Sequence, residues 1–161
     1  MSVKEDVLKY LENDAHLNAK NIAHALKIDE RAVQNVIDEA EKDGTLLAYK
    51  AIVNWDKTER EFVSAIIEIK VLPMREEGFD AVARQICMYP EVVSLYLMSG
   101  GFDLAVVVES KTLRDVAFFV SDKLAVIDGV TSTATHFVLN KYKDKNVIFK
   151  NTEEDNREYV L

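Results

Sequence analysis

The side chains that could do chemistry in this chain of 161 residues are few and scattered. Three histidines, His16, His24 and His136, stand at unrelated spacings and do not form the ligand pattern of a metal site. The single cysteine, Cys87, follows Ile86 in a helical pattern and is expected to be a small inward-facing core residue rather than a nucleophile. The sequence contains no nucleophile motif, phosphate loop or paired-carboxylate signature. It therefore predicts no catalytic residues, no metal and no cofactor.

A second set of polar side chains has the types that read bases in duplex DNA. Arg31, Gln34 and Asn35 lie at exposed positions of a predicted helix that begins after Asp29, and Lys50 follows that helix. Arginine, asparagine and glutamine match base edges in the major groove, and lysine binds phosphate. These four residues are the predicted contacts to double-stranded DNA. The alternative is a small helical bundle that does not touch DNA.

Acidic residues outnumber basic ones on this helix. Its exposed positions carry two basic residues, Arg31 and Lys42. They also carry six acidic residues, Asp29, Glu30, Asp38, Glu39, Glu41 and Asp43. Acids in the first turn suit the helix dipole, and those from Asp38 onward could face away from the groove. The formal net charge of the chain is −8, which argues against broad binding to polyanions. We therefore expect modest DNA affinity with a shallow salt dependence.

A third set of residues could bind a small ligand that carries both a positive and a negative charge. The turn 99–103 joins two predicted strands, and its glycines would let a ligand approach backbone N–H groups closely. A carboxylate in the turn could accept hydrogen bonds from an ammonium, and threonine hydroxyls on one face of the last strand could serve either end. An ordinary hairpin turn and strand-favouring threonines are the alternatives. The predicted site comprises Ser99, Gly100, Gly101, Asp103, Thr133 and Thr135.

The first part of the chain must position the DNA contacts. Residues 1–53 contain three helical patterns, and the second and third are spaced as in a helix-turn-helix. Ala23 is the small residue where the two helices would touch, whereas Lys27 stands where many such motifs have glycine. The apolar stretch Thr45–Val53 is predicted to form a short strand or hairpin. Residues 54–61 are polar and aperiodic and are interpreted as a linker.

The second part must position the candidate ligand site. Residues 62–142 show strands and helices in the order β-α-β-β-α-β, which is typical of ferredoxin-like folds. The predicted strands lie at 62–72, 92–98, 102–109 and 130–139, and the predicted helices at 78–88 and 112–126. Several strands are apolar on more than one face, which predicts a dimer or larger oligomer formed through this domain. Residues 143–161 are interpreted as a polar C-terminal tail with one further short strand near 147–149.

No apolar run in the sequence approaches the length of a membrane span. The charged N-terminus lacks the apolar segment of a signal peptide. A soluble cytoplasmic protein is therefore expected.

Several short motifs follow one another in an order that is specific when they are taken together. They are Ile22-Ala23 through Ile28-Asp29 with Val33 and Val36, Gly44-Thr45-Leu46-x-x-Tyr49-x-Ala51, Pro90-x-Val92, Ser99-Gly100-Gly101-Phe102-Asp103, and Gly129-Val130 through Thr133, Thr135 and Val138-Leu139. With these motifs the chain up to Tyr142 resembles the Lrp/AsnC family of leucine-responsive and asparagine-related regulators. It departs from the family at the recognition helix, where a basic run is replaced by residues 35–40, Asn-Val-Ile-Asp-Glu-Ala.

The resemblance implies an α+β protein with an N-terminal winged helix-turn-helix and a C-terminal ferredoxin-like, ACT-like effector domain. It implies a sequence-specific transcriptional regulator that senses an amino acid or related metabolite, and that forms dimers, which in the family often assemble into octamers. The alternative is a metabolite-binding or enzymatic relative of the fold that has lost DNA binding. Residues 61–142 carry seven Lys and Arg against eleven Asp and Glu, which does not favour the basic pocket that tetrapyrrole-decarboxylating relatives would need.

Overall fold

A computed structural model describes residues 2–73 and 78–149 of the chain. The chain divides into two units, Met1–Val53 and Asn54–Leu161, each with its own apolar core. Residues 150–161 of the predicted tail lie outside the described residues. Within the described ranges, no helix is both long enough and apolar enough to cross a bilayer.

Three helices build the first unit, as the periodicity predicts: α1 (Val3–Asn13), α2 (Ala19–Leu26) and α3 (Glu30–Lys42). Each begins after a residue whose side chain accepts a hydrogen bond from a backbone N–H of the first turn, namely Ser2, Asn18 and Asp29. Their apolar faces meet in one core that includes Val7, Leu11, Ile22, Ala23, Val33 and Ile37. The helix-turn-helix is therefore held by the apolar set that its sequence spacing indicates.

The turn between α2 and α3 forms without glycine. Lys27 ends α2 in the left-handed conformation, with φ 57° and ψ 43°. Residues other than glycine adopt this conformation at a cost of roughly 1–2 kcal/mol. The backbone N–H groups of Lys27 and Ile28 both donate to the carbonyl oxygen of Ala23, which closes the helix end. The missing glycine weakens the sequence signal but does not prevent the motif.

The prediction of a strand or hairpin over Thr45–Val53 is wrong, because the described residues of the first unit contain no strand. The stretch contains no glycine, proline, asparagine or aspartate, so it lacks the residues that favour the tight turn of a hairpin. Leu47 within it is 87% exposed. The wing is therefore not formed by paired strands within this unit.

The second unit has the predicted β-α-β-β-α-β order. Its elements are β1 (Val63–Val71), α4 (Asp80–Cys87), β2 (Val92–Leu97), β3 (Leu104–Ser110), α5 (Leu113–Phe119) and β4 (Val130–Phe137). The strands form one antiparallel sheet in the order β2-β3-β1-β4. A 3₁₀ turn, Trp55–Lys57, precedes β1, and the short strands β5 (Lys143–Asp144) and β6 (Val147–Ile148) form a hairpin after β4.

One face of the sheet packs against the helices. Along β1, Ala65, Ile67, Ile69 and Val71 are buried and join the side chains of α4 and α5 in a single core. Residues directly opposite one another in antiparallel strands share a face, so the register identifies what lies on the other side. We call this second side the open face; its rows are Ser94, Val107, Ile66 and His136, and Tyr96, Ala105, Glu68 and Ala134.

Two expectations about the helices need correction. Cys87 is exposed rather than inward-facing, because it lies about 100° around α4 from the buried Ile86. The helix expected over 112–126 is regular only as far as Phe119 and continues as a π-helical turn over Val120–Leu124. Its predicted start is confirmed, since the hydroxyl of Thr112 accepts from the N–H of Asp115 in a capping box.

Candidate DNA-binding and ligand-binding sites

The predicted DNA contacts on α3 share one exposed face. Val33 and Ile37 are buried on the opposite side of the helix, against α1 and α2. Arg31, Gln34 and Asn35 are exposed. At about 100° per residue, these three positions project away from the buried ones. The face that a DNA groove could meet is therefore the one that the sequence indicates.

An acid also lies on this face. The Nε2 atom of Gln34 donates a hydrogen bond of 2.7 Å to Oδ1 of Asp38. Asp38 therefore does not face away from the other polar residues of α3. The i, i+4 spacing of Gln34 and Asp38 is the sequence signal that predicts such a pair.

Two contacts that involve none of the predicted DNA-binding residues hold the C-terminal end of α3. Nζ of Lys4 at the start of α1 lies 2.7 Å from Oδ2 of Asp43, just after α3. Hydrogen bonds from Lys4 and from Thr45 hold the pKa of Asp43 well below its usual range. The hydroxyl of Tyr49 donates to Oε1 of Glu41 at 2.9 Å, and the pKa of Tyr49 is raised by its partial burial and by this acid.

The contact of Tyr49 with α3 also affects the position of Lys50, the last predicted DNA contact. Lys50 is exposed and directly follows Tyr49, whose hydroxyl is anchored to α3. The backbone of Lys50 is thereby kept near the C-terminal part of α3, even though the described residues of this unit form no wing strand.

In the second unit, Asp103 has a structural partner. Its Oδ2 accepts a hydrogen bond of 2.8 Å from the backbone N–H of Val71, and its own N–H donates to the carbonyl oxygen of Ile69 at 3.0 Å. The β1–β3 ladder ends at the pair Ile69 and Leu104, so the carboxylate supplies the next acceptor in place of a backbone carbonyl. One oxygen of the carboxylate is thus engaged within the chain.

The predicted threonines lie on the other side of β1. Thr133 is directly opposite Ile69 in β4, and Thr135 is opposite Ile67. They share a face, as predicted, and it is the face that carries the helices. Asp103 borders Ile69 from the β3 side, so about 10 Å separates the two backbone positions at normal strand spacing. A single sheet thus places the two halves of the predicted site at the same end of β1 without bringing them together.

The two turn glycines differ in conformation. Gly100 has φ +147°, which side chains rarely tolerate, whereas Gly101 is not in the positive-φ region. A Cβ atom at either position would have no heavy atom within 4 Å. The backbone of the turn 99–103 is therefore open to an approaching molecule.

Comparison with known proteins identifies the family of this chain. Residues 64–148, more than half of the chain, match the family model described as the Lrp/AsnC ligand binding domain. The chain belongs to the Lrp/AsnC family. The HTH-type transcriptional regulator YugG of Bacillus subtilis is 41% identical to this Lrp/AsnC protein over 153 residues, which cover 94% of this chain and 92% of YugG. The HTH-type transcriptional regulator LrpA of Pyrococcus horikoshii is 28% identical over 137 residues, which cover 85% of this chain and 94% of LrpA.

Solved structures of Lrp/AsnC regulators have the same fold. The leucine response regulatory protein LrpA of Mycobacterium tuberculosis matches with a TM-score of 0.74 and 21% identity, over 90% of this chain and 96% of that one. A transcriptional regulator of Neisseria meningitidis in complex with L-Met matches with a TM-score of 0.72 and 18% identity, over 89% and 93%. These structures confirm the predicted fold class, and the match at 64–148 together with YugG confirms the predicted family of transcriptional regulators.

Proposed function

We propose that this protein binds specific DNA sites through α3 and an amino acid or related metabolite through its oligomeric second unit. The observation that carries the proposal is the presence in one chain of a helix-turn-helix and of a ligand-binding domain at 64–148. The named relatives are regulators, which favours binding over catalysis. We propose that the protein works in the cytoplasm.

The proposed DNA contacts are Arg31, Gln34 and Asn35 in the major groove, with Lys50 at the phosphate backbone. All four are exposed, and the first three share one face of α3. Because α3 carries more acids than bases, few phosphates are neutralised, which predicts modest affinity and a shallow salt slope. Selection of genomic fragments by the purified protein, at low salt and with or without amino acids, tests whether DNA is bound specifically. Failure to enrich any fragment would favour the metabolite-binding or enzymatic alternative.

Replacing Arg31 by alanine should weaken binding to a selected site by about 1–3 kcal/mol, or roughly 5- to 150-fold, if its guanidinium reads a guanine. The matched control is Arg31→Lys, which keeps the charge but lacks the two-pronged donor geometry. We expect titrations over a range of salt to show that lysine restores binding to random DNA but not to the selected site. Full rescue of specific binding by lysine would contradict a two-pronged contact between the Arg31 guanidinium and a guanine. For the parent protein, a salt dependence of DNA affinity as steep as that of a protein contacting roughly 6–10 phosphates would contradict the prediction that few phosphates are neutralised.

The proposed effector site lies at the end of β1, around the turn 99–103 and the threonines of β4. An amino acid needs donors for its carboxylate and acceptors for its ammonium, which exposed turn N–H groups, Asp103 and threonine hydroxyls would supply. The L-Met complex of the Neisseria meningitidis regulator supports this ligand class. Because β1 separates Asp103 from Thr133, and Thr133 lies on the helix-covered face, we propose that a further copy of the chain, docked at this end of β1 and not through the open face, completes the pocket. A ligand shared between subunits would favour one arrangement of them over another.

Gly101→Ala tests the approach of a ligand to the turn. The new Cβ meets no heavy atom within 4 Å beyond its chain neighbours, and Gly101 does not have a positive φ. The unfolding free energy should therefore not fall, and it should rise by at most about 1 kcal/mol because alanine restricts the unfolded chain. A ligand packed against the backbone would meet this methyl group, and its affinity should fall by about 1–3 kcal/mol. Calorimetry across the twenty amino acids on parent and variant measures this. Unchanged affinity would move the site away from Gly101, and no binding at millimolar concentration would contradict the amino-acid class.

We propose that oligomerisation uses the open face of the sheet. Ile66 in the central strand β1 is 42% exposed there, and Tyr96 in β2 is 55% exposed. Among the described residues of this unit, the helices pack on the opposite face. A second copy of the same face would bury these apolar side chains in a two-fold dimer, the commonest symmetry of soluble oligomers.

A further inference from the structure

The exposed face of α3 carries a feature that a purely basic DNA-binding surface would lack. Asp38 lies one turn after Gln34 on the side occupied by Arg31 and Asn35, opposite the buried Val33. A carboxylate here would be repelled by phosphates and would weaken binding to every sequence equally. Its presence in the middle of this face therefore raises the question of what it could bind.

The hydrogen bond to Gln34 orients both side chains. A carboxylate can only accept, so the amide of Gln34 must turn its NH₂ group toward Asp38, at 2.7 Å from Oδ1. This leaves the carbonyl oxygen of Gln34 and the Oδ2 atom of Asp38 outside this bond. The pair thus presents acceptors in a defined arrangement on an exposed helix face.

The major groove offers donors that match an acceptor of this kind. Cytosine presents its N4 amino group there, whereas guanine presents only the acceptors O6 and N7. Adenine presents an amino group too, but its N7 acceptor lies beside it and would repel a carboxylate. Cytosine is therefore the base to which an aspartate carboxylate is best matched.

We propose that Asp38 is a specificity-determining residue that accepts a hydrogen bond from the N4 amino group of a cytosine, with Gln34 as its positioning residue. The inference rests on the proposed function, since it requires α3 to enter the major groove. Asp38 would make the general affinity lower and the discrimination against guanine at one position higher. The selectivity arises because the carboxylate of Asp38 repels the acceptors of guanine as well as attracting the amino group of cytosine.

If the Gln34–Asp38 pair has only a structural role, it affects the stability of α3 and not the choice of base. Glutamine and aspartate at i and i+4 stabilise a helix by roughly 0.2–0.5 kcal/mol without any DNA present. Asp38→Asn separates the two roles, because the asparagine carbonyl can still accept from Gln34 while the negative charge is lost. Glu39→Gln is the matched control, since it removes one negative charge from the neighbouring exposed position of the same helix.

The experiment is selection from a randomised duplex library with the full chain as parent, Asp38→Asn and Glu39→Gln, followed by titration against the selected site and random DNA. We expect both variants to bind random DNA more tightly than the parent. Only Asp38→Asn should lose the preference for one cytosine, with discrimination against guanine at that position falling by about 5- to 150-fold.

An identical base preference in parent and Asp38→Asn would overturn the assignment of Asp38 and leave the DNA-binding proposal intact. Equal loss of preference at every position would assign Asp38 a structural role and would likewise overturn it. If the parent enriches no sequence, the proposed function fails and this inference fails with it.

Discussion

Ile66→Asp is expected to leave the protein monomeric in sedimentation at micromolar concentration, where the parent should be a dimer or larger. Ile66 lies on the open face of the central strand β1, flanked by Val107 and His136. Burying an unpaired carboxylate in an interface costs several kcal/mol, which is on the order of 100-fold or more in the dissociation constant. Because the side chain is already partly exposed within one chain, the fold itself should tolerate the change.

Leu113→Asp is the matched control for this experiment. Leu113 begins α5 and is 56% exposed, so the same charge is introduced on the helix-covered side of the same unit. We expect this variant to sediment like the parent. A dimeric Ile66→Asp variant would show that the open face is not the interface.

Asp103→Ala should destabilise the second unit by about 1–3 kcal/mol, measured by urea unfolding. The N–H of Val71 would lose its acceptor at a position where the residue is only 6% exposed, so water could not readily replace it. Asp103→Asn should remain close to the parent, because its side-chain carbonyl can accept the same hydrogen bond. Equal stability of all three proteins would show that the hydrogen bond to Val71 contributes nothing.

The same pair of variants separates a ligand role from the structural one. If the carboxylate of Asp103 binds an ammonium, Asp103→Asn should lose amino-acid affinity while it keeps the unfolding free energy of the parent. Loss of binding in Asp103→Ala alone would reflect the damaged end of β1 and not a ligand contact. Full affinity in Asp103→Asn would remove this residue from the proposed effector site.

The helices and the four strands of the larger sheet, and their order along the chain, follow from the sequence because the signals for these elements are local. Apolar spacing within α3 placed Val33 and Ile37 inward and left Arg31, Gln34 and Asn35 outside. The capping residues and the alternation along the strands were likewise readable, since they depend on neighbours a few positions away. Family motifs at their characteristic spacing predict the fold, which the solved structures confirm, and the regulatory class, which the family match and YugG confirm.

Local signals are insufficient where the deciding partner lies elsewhere in the chain. The apolar composition of Thr45–Val53 favours a strand, but a strand needs a second one to pair with, and the first unit has none in its described residues. Lys27 adopts the left-handed turn because the packing of α2 on α3 outweighs its local conformational cost.

Only the tertiary structure decided how the candidate ligand residues relate to one another. Strand order β2-β3-β1-β4 places Asp103 and Thr133 on opposite sides of β1, a separation that no sequence spacing reveals. It also commits the carboxylate of Asp103 to Val71, 32 residues away, so that a residue with the chemistry of a ligand contact also holds the sheet end. The physical reason is that periodicity is a property of one element, whereas register and side-chain partners arise only when distant elements compete for the same hydrogen-bonding groups.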